Sequence, residues 1–258
     1  MSLTLICFVG LLFVEESFQA WTPSPGTTFQ WQLQESINTH VAASVYDIDL
    51  FNAKDSDFHT LKSHGHKIIC YFSAGTHENW RHDAHSFPHS TLGNALPEWK
   101  GERWLDIRSP QVKSIMEKRL DLARSRGCDA VEPDNVDGYA NNNGMGLHRA
   151  DQIHYNTWLA HTAHAKGLSI GLKNALSLIP ELVSLFDWAL NESCLDYDEC
   201  DEYQPFLHQH KAVFHVEYVD SHTDGPAKQR SVCHSSHRPH GFTTLIKDWD
   251  LTAWRLTC

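Results

Sequence analysis

The chain has 258 residues, of which 41% are hydrophobic, and its formal net charge is −11. This composition excludes a disordered protein, because nine Trp, seven Tyr and twelve Phe can fill the core of one large domain. The acidic charge argues against nucleic acid and against an anionic membrane surface as partners, and it favours a neutral or cationic ligand.

The first segment in chain order, residues 3–14, is an apolar run that is too short to span a bilayer as a helix. Its position and length are typical of the hydrophobic region of a secretory signal, with cleavage expected near Ala20. We therefore expect a signal peptide at residues 1–20, a single domain at residues 21–258, and a secreted, extracellular protein.

Cleavage at this point leaves an even number of cysteines, as disulfides in an oxidising compartment require. Although about fifteen pairings are formally possible for six cysteines, the placement of the cysteines on neighbouring predicted strands and around a short acidic loop favours three pairs. These are Cys70–Cys128, Cys194–Cys200 and Cys233–Cys258.

Eight short apolar runs that end in polar or acidic residues follow along the rest of the chain. They are Phe29–Leu33, Ser44–Ile48, Lys67–Phe72, Asp129–Glu132, Ser169–Leu172, Asp187–Leu190, Ala212–Val216 and Thr243–Ile246. Amphipathic stretches of helical length follow several of these runs. The alternation predicts a parallel α/β sheet, and the number of runs with the chain length predicts a single-domain (β/α)8 TIM barrel.

Three helices have clear sequence signals. The first begins at Pro110 after the N-cap residue Ser109 and stops at Gly127. The second covers about residues 150–166, and the third is entered at Pro180. Two longer polar segments, residues 75–108 and 221–240, are expected to be loops on the face where barrels build their substrate clefts.

The segment between residues 127 and 137 carries the strongest functional signal, because strand-like residues run directly into three carboxylates and an amide. Pro133 lacks a backbone donor, so we expect the strand to stop near it. The acids that follow then lie at the carboxyl end of a parallel strand, which is where α/β folds bind ligands and carry out chemistry.

Asp134 and Glu192 are the candidate catalytic pair. They follow alternate strands, whose ends lie roughly 10 Å apart, and inward-leaning side chains can bring the carboxyls to about 5–9 Å, as glycosidases require. Like charge and partial burial are expected to raise the pKa of one of them. The candidate substrate-binding residues are Trp31, Asp47, Asp106, Asn135, Asp137, Lys173, Asn174, Glu217 and Tyr218.

Some of these side chains have two readings. Lys173 either helps to keep Asp134 ionised or forms an ion pair with no catalytic part. Trp31 and Tyr218 are either stacking platforms for a sugar or core residues that cap the barrel.

Three short motifs resemble glycoside hydrolase family 114, the endo-α-1,4-polygalactosaminidases, over about residues 31–248. They are Glu-Pro-Asp-Asn-x-Asp within 132–137, Tyr-Phe-Ser-Ala-Gly at 71–75 and Asn-Glu at 191–192. The resemblance implies a (β/α)8 barrel that cleaves α-1,4-linked galactosamine polymers with a retaining outcome. It also implies that Asp134 is the nucleophile and that Glu192 is the general acid/base.

Alternatives to this function remain open at the level of sequence: a carbohydrate-binding barrel without turnover, or a hydrolase of another α-glycan. The nineteen His have no carboxylate or Cys at a recognisable ligand interval, so neither a metal nor a cofactor is expected. Nothing in the sequence indicates an assembly larger than a monomer. Asn191-Glu192-Ser193 matches an N-glycosylation sequon, but we expect Asn191 to be unmodified because a residue that closes a barrel strand is poorly accessible.

Overall fold

The computed structural model describes residues 20–258, so residues 1–19 of the expected signal peptide lie outside the described residues. The strands of this region are β1 (Phe29–Gln32), β2 (Val45–Asp49), β3 (Lys67–Ser73), β4 (Thr76–Glu78), β5 (Leu92–Ala95), β6 (Glu102–Leu105), β7 (Ala130–Asp134), β8 (Ser169–Lys173), β9 (Trp188–Glu192), β10 (Val213–Val219), β11 (Phe242–Asp248) and β12 (Leu256–Thr257). The helices are α1 (Asp55–Ser63), α2 (Pro110–Arg126), α3 (Arg149–Ala165), α4 (Ile179–Leu182), α5 (Gln204–His208) and α6 (Gly225–Cys233). The eight predicted strands are confirmed within a few residues as β1, β2, β3 and β7 to β11.

The main sheet has the order β1-β2-β3-β7-β8-β9-β10-β11-β12. Neighbours from β1 to β11 pair in parallel, and only β12 runs antiparallel, against β11. The segment after β11 lies against β1: the Leu33 N–H donates to the Leu251 carbonyl at 3.0 Å, and the Gln30 side-chain amide donates to the Ala253 carbonyl at 3.0 Å. This segment therefore bridges the two ends of the parallel row in a single-domain (β/α)8-like fold.

The predicted signals of α2 act as expected. The Ser109 hydroxyl accepts from the Gln111 N–H at 3.2 Å, and Gly127 ends the helix in the left-handed region with a φ of 82°.

The two segments predicted as loops contain regular secondary structure, which corrects that prediction. Residues 75–108 contain the antiparallel sheet β4-β6-β5, and residues 221–240 contain α6. Their strands and helix are short and polar, so they lack the apolar periodicity on which the prediction rests.

Pro133 lies inside β7 and pairs with Phe72 of β3, so the strand runs just beyond the expected stop. The ladder between β7 and β8 covers only Ala130 and Val131. At Pro133 the strand is thus hydrogen-bonded on one side only, where a residue without an N–H is tolerated. Since β7 continues through Pro133, Glu132 and Asp134 project to the same face, because side chains two residues apart on a strand share a face.

Two apolar layers support the barrel. Its interior is filled by large side chains such as Phe29, Trp188 and Phe214, while the outer faces of the strands pack on the helices. Gly171 makes room for the interior layer, since a Cβ at this position would lie 2.4 Å from the Trp188 ring. Within residues 20–258, no helix is long and apolar enough to cross a membrane.

Three disulfides join the pairs favoured from the sequence: Cys70–Cys128, Cys194–Cys200 and Cys233–Cys258. The first pair links β3 to a residue two positions before β7 and closes the longest loop, with a sequence separation of 58. It therefore braces the two strands that lead directly to the candidate site.

Candidate active site

Asp134 and Glu192 face each other across one lysine at the carboxyl ends of β7 and β9. The Lys173 ammonium lies 3.6 Å from Asp134 Oδ1 and 3.4 Å from Glu192 Oε2. These two oxygens are therefore at most about 7 Å apart, within the range of glycosidase carboxylates. Both side chains remain partly accessible, with exposures of 22% and 28%, whereas that of Lys173 is 2% exposed.

The backbone of Asn135 and the side chain of Tyr71 orient Asp134. The Asn135 N–H donates to Oδ1 at 2.8 Å, and the Tyr71 hydroxyl donates to Oδ2 at 3.2 Å. Asn135 adopts a φ of 58° and donates from its side chain to Ser73 Oγ at 3.0 Å. A Cβ at position 75 would lie 1.8 Å from the Asn135 carbonyl oxygen, so only Gly75 permits this turn.

Glu192 is held by two donors besides Lys173. The Tyr218 hydroxyl donates to Oε1 at 2.5 Å, and the Asn174 amide donates to Oε2 at 3.0 Å. Burial raises the pKa of Glu192, but the Lys173 charge and these hydrogen bonds outweigh burial and hold the pKa below its ordinary value. The expectation of a raised pKa in the catalytic pair is therefore wrong for Glu192, because Lys173 contacts both acids, whereas the sequence suggested an effect of this lysine on Asp134 alone.

Beneath the pair, Lys173 rests on a buried acidic layer. Its ammonium donates to Glu132 Oε1 at 2.8 Å, and the Trp31 indole N–H donates to Glu132 Oε2 at 3.1 Å. Burial lowers the pKa of Lys173, but the surrounding carboxylates Asp134, Glu132 and Glu192 raise it well above its ordinary value. The lysine is therefore a permanent cation among acids.

Asp47 completes this layer as a fully buried carboxyl group. Neither of its oxygens accepts a hydrogen bond from a donor in the described chain, and its carboxyl faces that of Glu132. Burial and the Glu132 charge raise the pKa of Asp47 well above its usual range, and burial raises the pKa of Glu132 to about 7. A protonated Asp47 can donate a hydrogen bond to Glu132, because a neutral carboxyl carries one O–H donor.

Several predicted substrate-binding residues occupy other places. Trp31 and Asp47 are 1% and 0% exposed, so both belong to the buried layer and neither is an open rim residue. Glu217 is on the outer face of β10, where it contacts His215 at 2.9 Å and Lys228 at 3.1 Å. The predictions of direct substrate contact are thus wrong for these three residues, since strand alternation turns them away from the cleft or buries them.

The remaining predictions divide between the pair and the rim. Asn135, Asn174 and Lys173 directly contact the pair, as described above. Asp137 is partly buried, and burial together with the Asp134 charge raises its pKa. Asp106 forms an ion pair with Arg108 at 2.8 Å, and in the described chain none of its hydrogen bonds reaches the pair.

Three side chains of the site were missed at the level of sequence. Glu132 and Tyr71 could have been found by alternation, because each lies on an inward-facing position of its strand. Trp249, which is 59% exposed and stacks on Tyr218, follows β11 and had no sequence signal of its own.

Two further sequence features have structural answers. Asn191 is 0% exposed and donates to the Tyr203 hydroxyl at 3.1 Å, so a folded chain does not present the sequon. Within residues 20–258, one group of metal-type ligand atoms lies close together, at Cys194, Cys200 and His215. Its two sulfurs form a disulfide and therefore cannot act as thiolate ligands.

Comparison with known proteins places this geometry among carbohydrate-active enzymes. The model of glycoside-hydrolase family GH114 matches residues 12–258. The chain is similar to the structure of Ega3 from Aspergillus fumigatus in complex with galactosamine, with 44% identity, 93% of this chain and 98% of that chain covered, and a TM-score of 0.87. No curated protein is significantly similar to the chain in sequence.

A second similarity concerns the fold alone. The glycoside hydrolase domain of PelA from Pseudomonas aeruginosa is 14% identical, with 89% of this chain and 97% of that chain covered and a TM-score of 0.69. The barrel described above thus recurs at low sequence identity.

Proposed function

Because the chain belongs to glycoside hydrolase family GH114, we propose that it is a secreted enzyme that cleaves α-1,4-linked galactosamine-containing polysaccharide. The observation that carries the proposal is the position of Asp134 and Glu192 on either side of Lys173, with carboxyl oxygens at most about 7 Å apart. This is the arrangement that two-carboxylate hydrolysis of a glycosidic bond requires.

In the proposed mechanism, Glu192 protonates the glycosidic oxygen as the bond to the leaving sugar breaks, while Asp134 attacks the anomeric carbon. Water then attacks the glycosyl-enzyme bond, and Glu192 accepts the proton of that water. An oxygen separation of at most about 7 Å admits the roughly 5–5.5 Å of retaining pairs and reaches the lower end of the roughly 6.5–9.5 Å of inverting pairs, so the retaining course rests on the membership of family GH114. Lys173 offsets part of the negative charge of the two acids throughout, and Glu132 holds the lysine in place.

The charge of the site supports a cationic substrate. Glu132, Asp134 and Glu192 surround the single ammonium of Lys173, and Asp137 lies beside Asp134. A galactosamine unit with a free ammonium group would meet favourable electrostatics there, whereas an acetylated unit would not gain them. The galactosamine complex of Ega3 also supports this substrate.

Secretion is supported by two features of the chain. The three disulfides are typical of an oxidising compartment. The apolar run at residues 3–14 has the length of a signal-peptide core. Mass spectrometry of the protein exported by an expressing cell tests this, with a new N-terminus near residue 21 as the expected result.

Hydrolysis itself is tested with deacetylated and acetylated galactosaminogalactan by following oligosaccharide release. The wild-type enzyme should cleave the deacetylated polymer, and Asp134→Asn and Glu192→Gln should each lose at least about a thousandfold in turnover while keeping affinity. Asp187→Asn is the matched control, because it removes a carboxylate of similar exposure, 20%, that pairs with His164 and precedes β9 at the end of the strand away from Glu192.

The outcomes separate the alternatives. Binding without cleavage by the wild-type protein would show a carbohydrate-binding barrel. If the enzyme cleaved a different α-glycan and neither galactosamine polymer, the catalytic pair would stand and the proposed substrate would be wrong. Equal turnover by wild type and both carboxyl variants would contradict the assignment of the site.

A further inference from the structure

The exposed aromatic side chains of the described chain lie on loops that follow the carboxyl ends of barrel strands. Trp80 and Trp99 lie in the insertion after β3 that contains β4, β5 and β6, Tyr197 follows β9 and Trp249 follows β11, with exposures of 50%, 58%, 73% and 59%. These strand ends form the face that carries the catalytic pair. Each of these exposed aromatics offers an uncovered ring to a ligand, and its contacts with the catalytic pair decide whether it can serve a substrate held there.

Trp249 is connected to the catalytic pair through one side chain. Its ring stacks on that of Tyr218, with centroids 4.1 Å apart and planes 10° from parallel. The Tyr218 hydroxyl in turn donates to Glu192 Oε1 at 2.5 Å. The indole therefore lies one aromatic ring away from the proposed general acid/base.

The orientation of this indole is set before any ligand arrives. Its N–H donates to Asp220 Oδ1 at 2.9 Å, and Tyr218 covers one of its faces. The loop that follows is anchored as well, since Asp248 accepts from the Thr252 N–H and hydroxyl at 2.9 and 2.6 Å. A rigid, half-exposed indole loses little conformational entropy on binding, which is the property of a stacking platform.

We propose that Trp249 is a sugar-stacking platform for the unit on the leaving-group side of the bond that is cleaved. This inference rests on the proposed function, because it takes Glu192 as the acid that protonates the leaving oxygen. The sugar that carries that oxygen lies on the Glu192 side of the cleft, and a pyranose presents a C–H-rich face that packs on an aromatic ring. The platform thus binds the part of the substrate that departs first.

The test compares a substrate that has a sugar on the leaving-group side with one that has none. One is a deacetylated α-1,4-galactosamine polymer, and the other is the reducing-end α-fluoride of a short galactosamine oligosaccharide, whose leaving group has no ring. Trp249→Ala should lower kcat/KM on the polymer about tenfold and leave the fluoride within about twofold. Trp249→Phe should recover part of the polymer activity because it keeps an aromatic face.

Trp99→Ala is the matched control, because it removes an indole of nearly equal exposure, 58% against 59%. It should leave both substrates within about twofold. The inference is overturned if Trp249→Ala leaves the polymer rate unchanged, lowers both substrates equally, or has no larger effect on the polymer than Trp99→Ala. Failure of the proposed function looks different, since the wild-type enzyme would then cleave neither substrate.

Discussion

The hydroxyl of Tyr218 offers the sharpest test of the role of Glu192. Tyr218→Phe removes the donor to Glu192 Oε1 and keeps the ring that stacks on Trp249, so the perturbation is confined to one hydrogen bond. This hydrogen bond helps to hold the pKa of Glu192 below its ordinary value, and its loss must raise that pKa.

The size of the effect follows from the geometry of this bond. A hydrogen bond to a charged group contributes about 1.5–3 kcal/mol. The Glu192 side chain is 28% exposed, so water replaces part of the lost interaction. A pKa change of one unit corresponds to about 1.4 kcal/mol, and we therefore expect the titration of Glu192 to move upward by roughly one pH unit.

The assay is the pH profile of kcat/KM on the deacetylated polymer. A general acid must be protonated in the free enzyme, so activity is lost as pH rises through the pKa of Glu192. The alkaline limb should therefore lie at higher pH in Tyr218→Phe than in wild type. Tyr197→Phe serves as the control, since this tyrosine is 73% exposed and should leave the profile in place.

The reasoning is refuted by either of two profiles. If the acidic limb moves and the alkaline limb does not, Glu192 acts in its ionised form, as a nucleophile would. If neither limb moves, the profile does not report the titration of Glu192.

Three further predictions concern the support of the site. Asp47→Asn should cost less than about 1.5 kcal/mol in unfolding free energy, because a neutral amide can donate to Glu132 as a protonated carboxyl would. Glu132→Gln should cost about 3–5 kcal/mol, because it removes the buried charged partner of Lys173, and urea denaturation measures both losses. Replacing Cys70 and Cys128 by Ala should lower stability by about 4 kcal/mol, the chain-entropy cost of the 58-residue separation. Asn191 should carry no glycan in the secreted protein, as read by peptide mass spectrometry.

Each of these predictions has a contradictory result. Equal losses in Asp47→Asn and Glu132→Gln would mean that Asp47 is not the proton donor of the buried layer. A stability loss at Cys70–Cys128 no larger than that of the short Cys194–Cys200 loop, with its separation of 6, would contradict the loop-length argument. A glycan on Asn191 would contradict its burial in the folded chain.

The barrel could be predicted from the sequence because its strands are short apolar runs with polar ends, and α2 because Ser109, Pro110 and Gly127 mark its limits. The sheet β4-β6-β5 could not be predicted, since its strands are polar and are held by pairing with each other. Such pairing depends on contacts that no local pattern records.

The site was partly predictable for a similar reason. Asp134 and Glu192 follow predicted strands, so their common location depends only on the topology of a parallel barrel. The direction of each side chain depends on where a strand ends. Because the prediction ended β7 near Pro133, it did not place Glu132 and Asp134 on the same face of one strand. The same uncertainty made Glu217 a candidate although only its neighbour Tyr218 faces the pair.

Covalent trapping tests the central claim most directly. The reagent is the α-fluoride of a galactosamine oligosaccharide with a second fluorine on the reacting ring, which slows hydrolysis of a glycosyl-enzyme bond. Mass spectrometry of peptides from the treated enzyme should find the sugar on Asp134, and Asp134→Asn should remain unlabelled. A label on Glu192 would reverse the two roles. An enzyme that cleaves the polymer with inversion and accumulates no label would contradict the retaining mechanism.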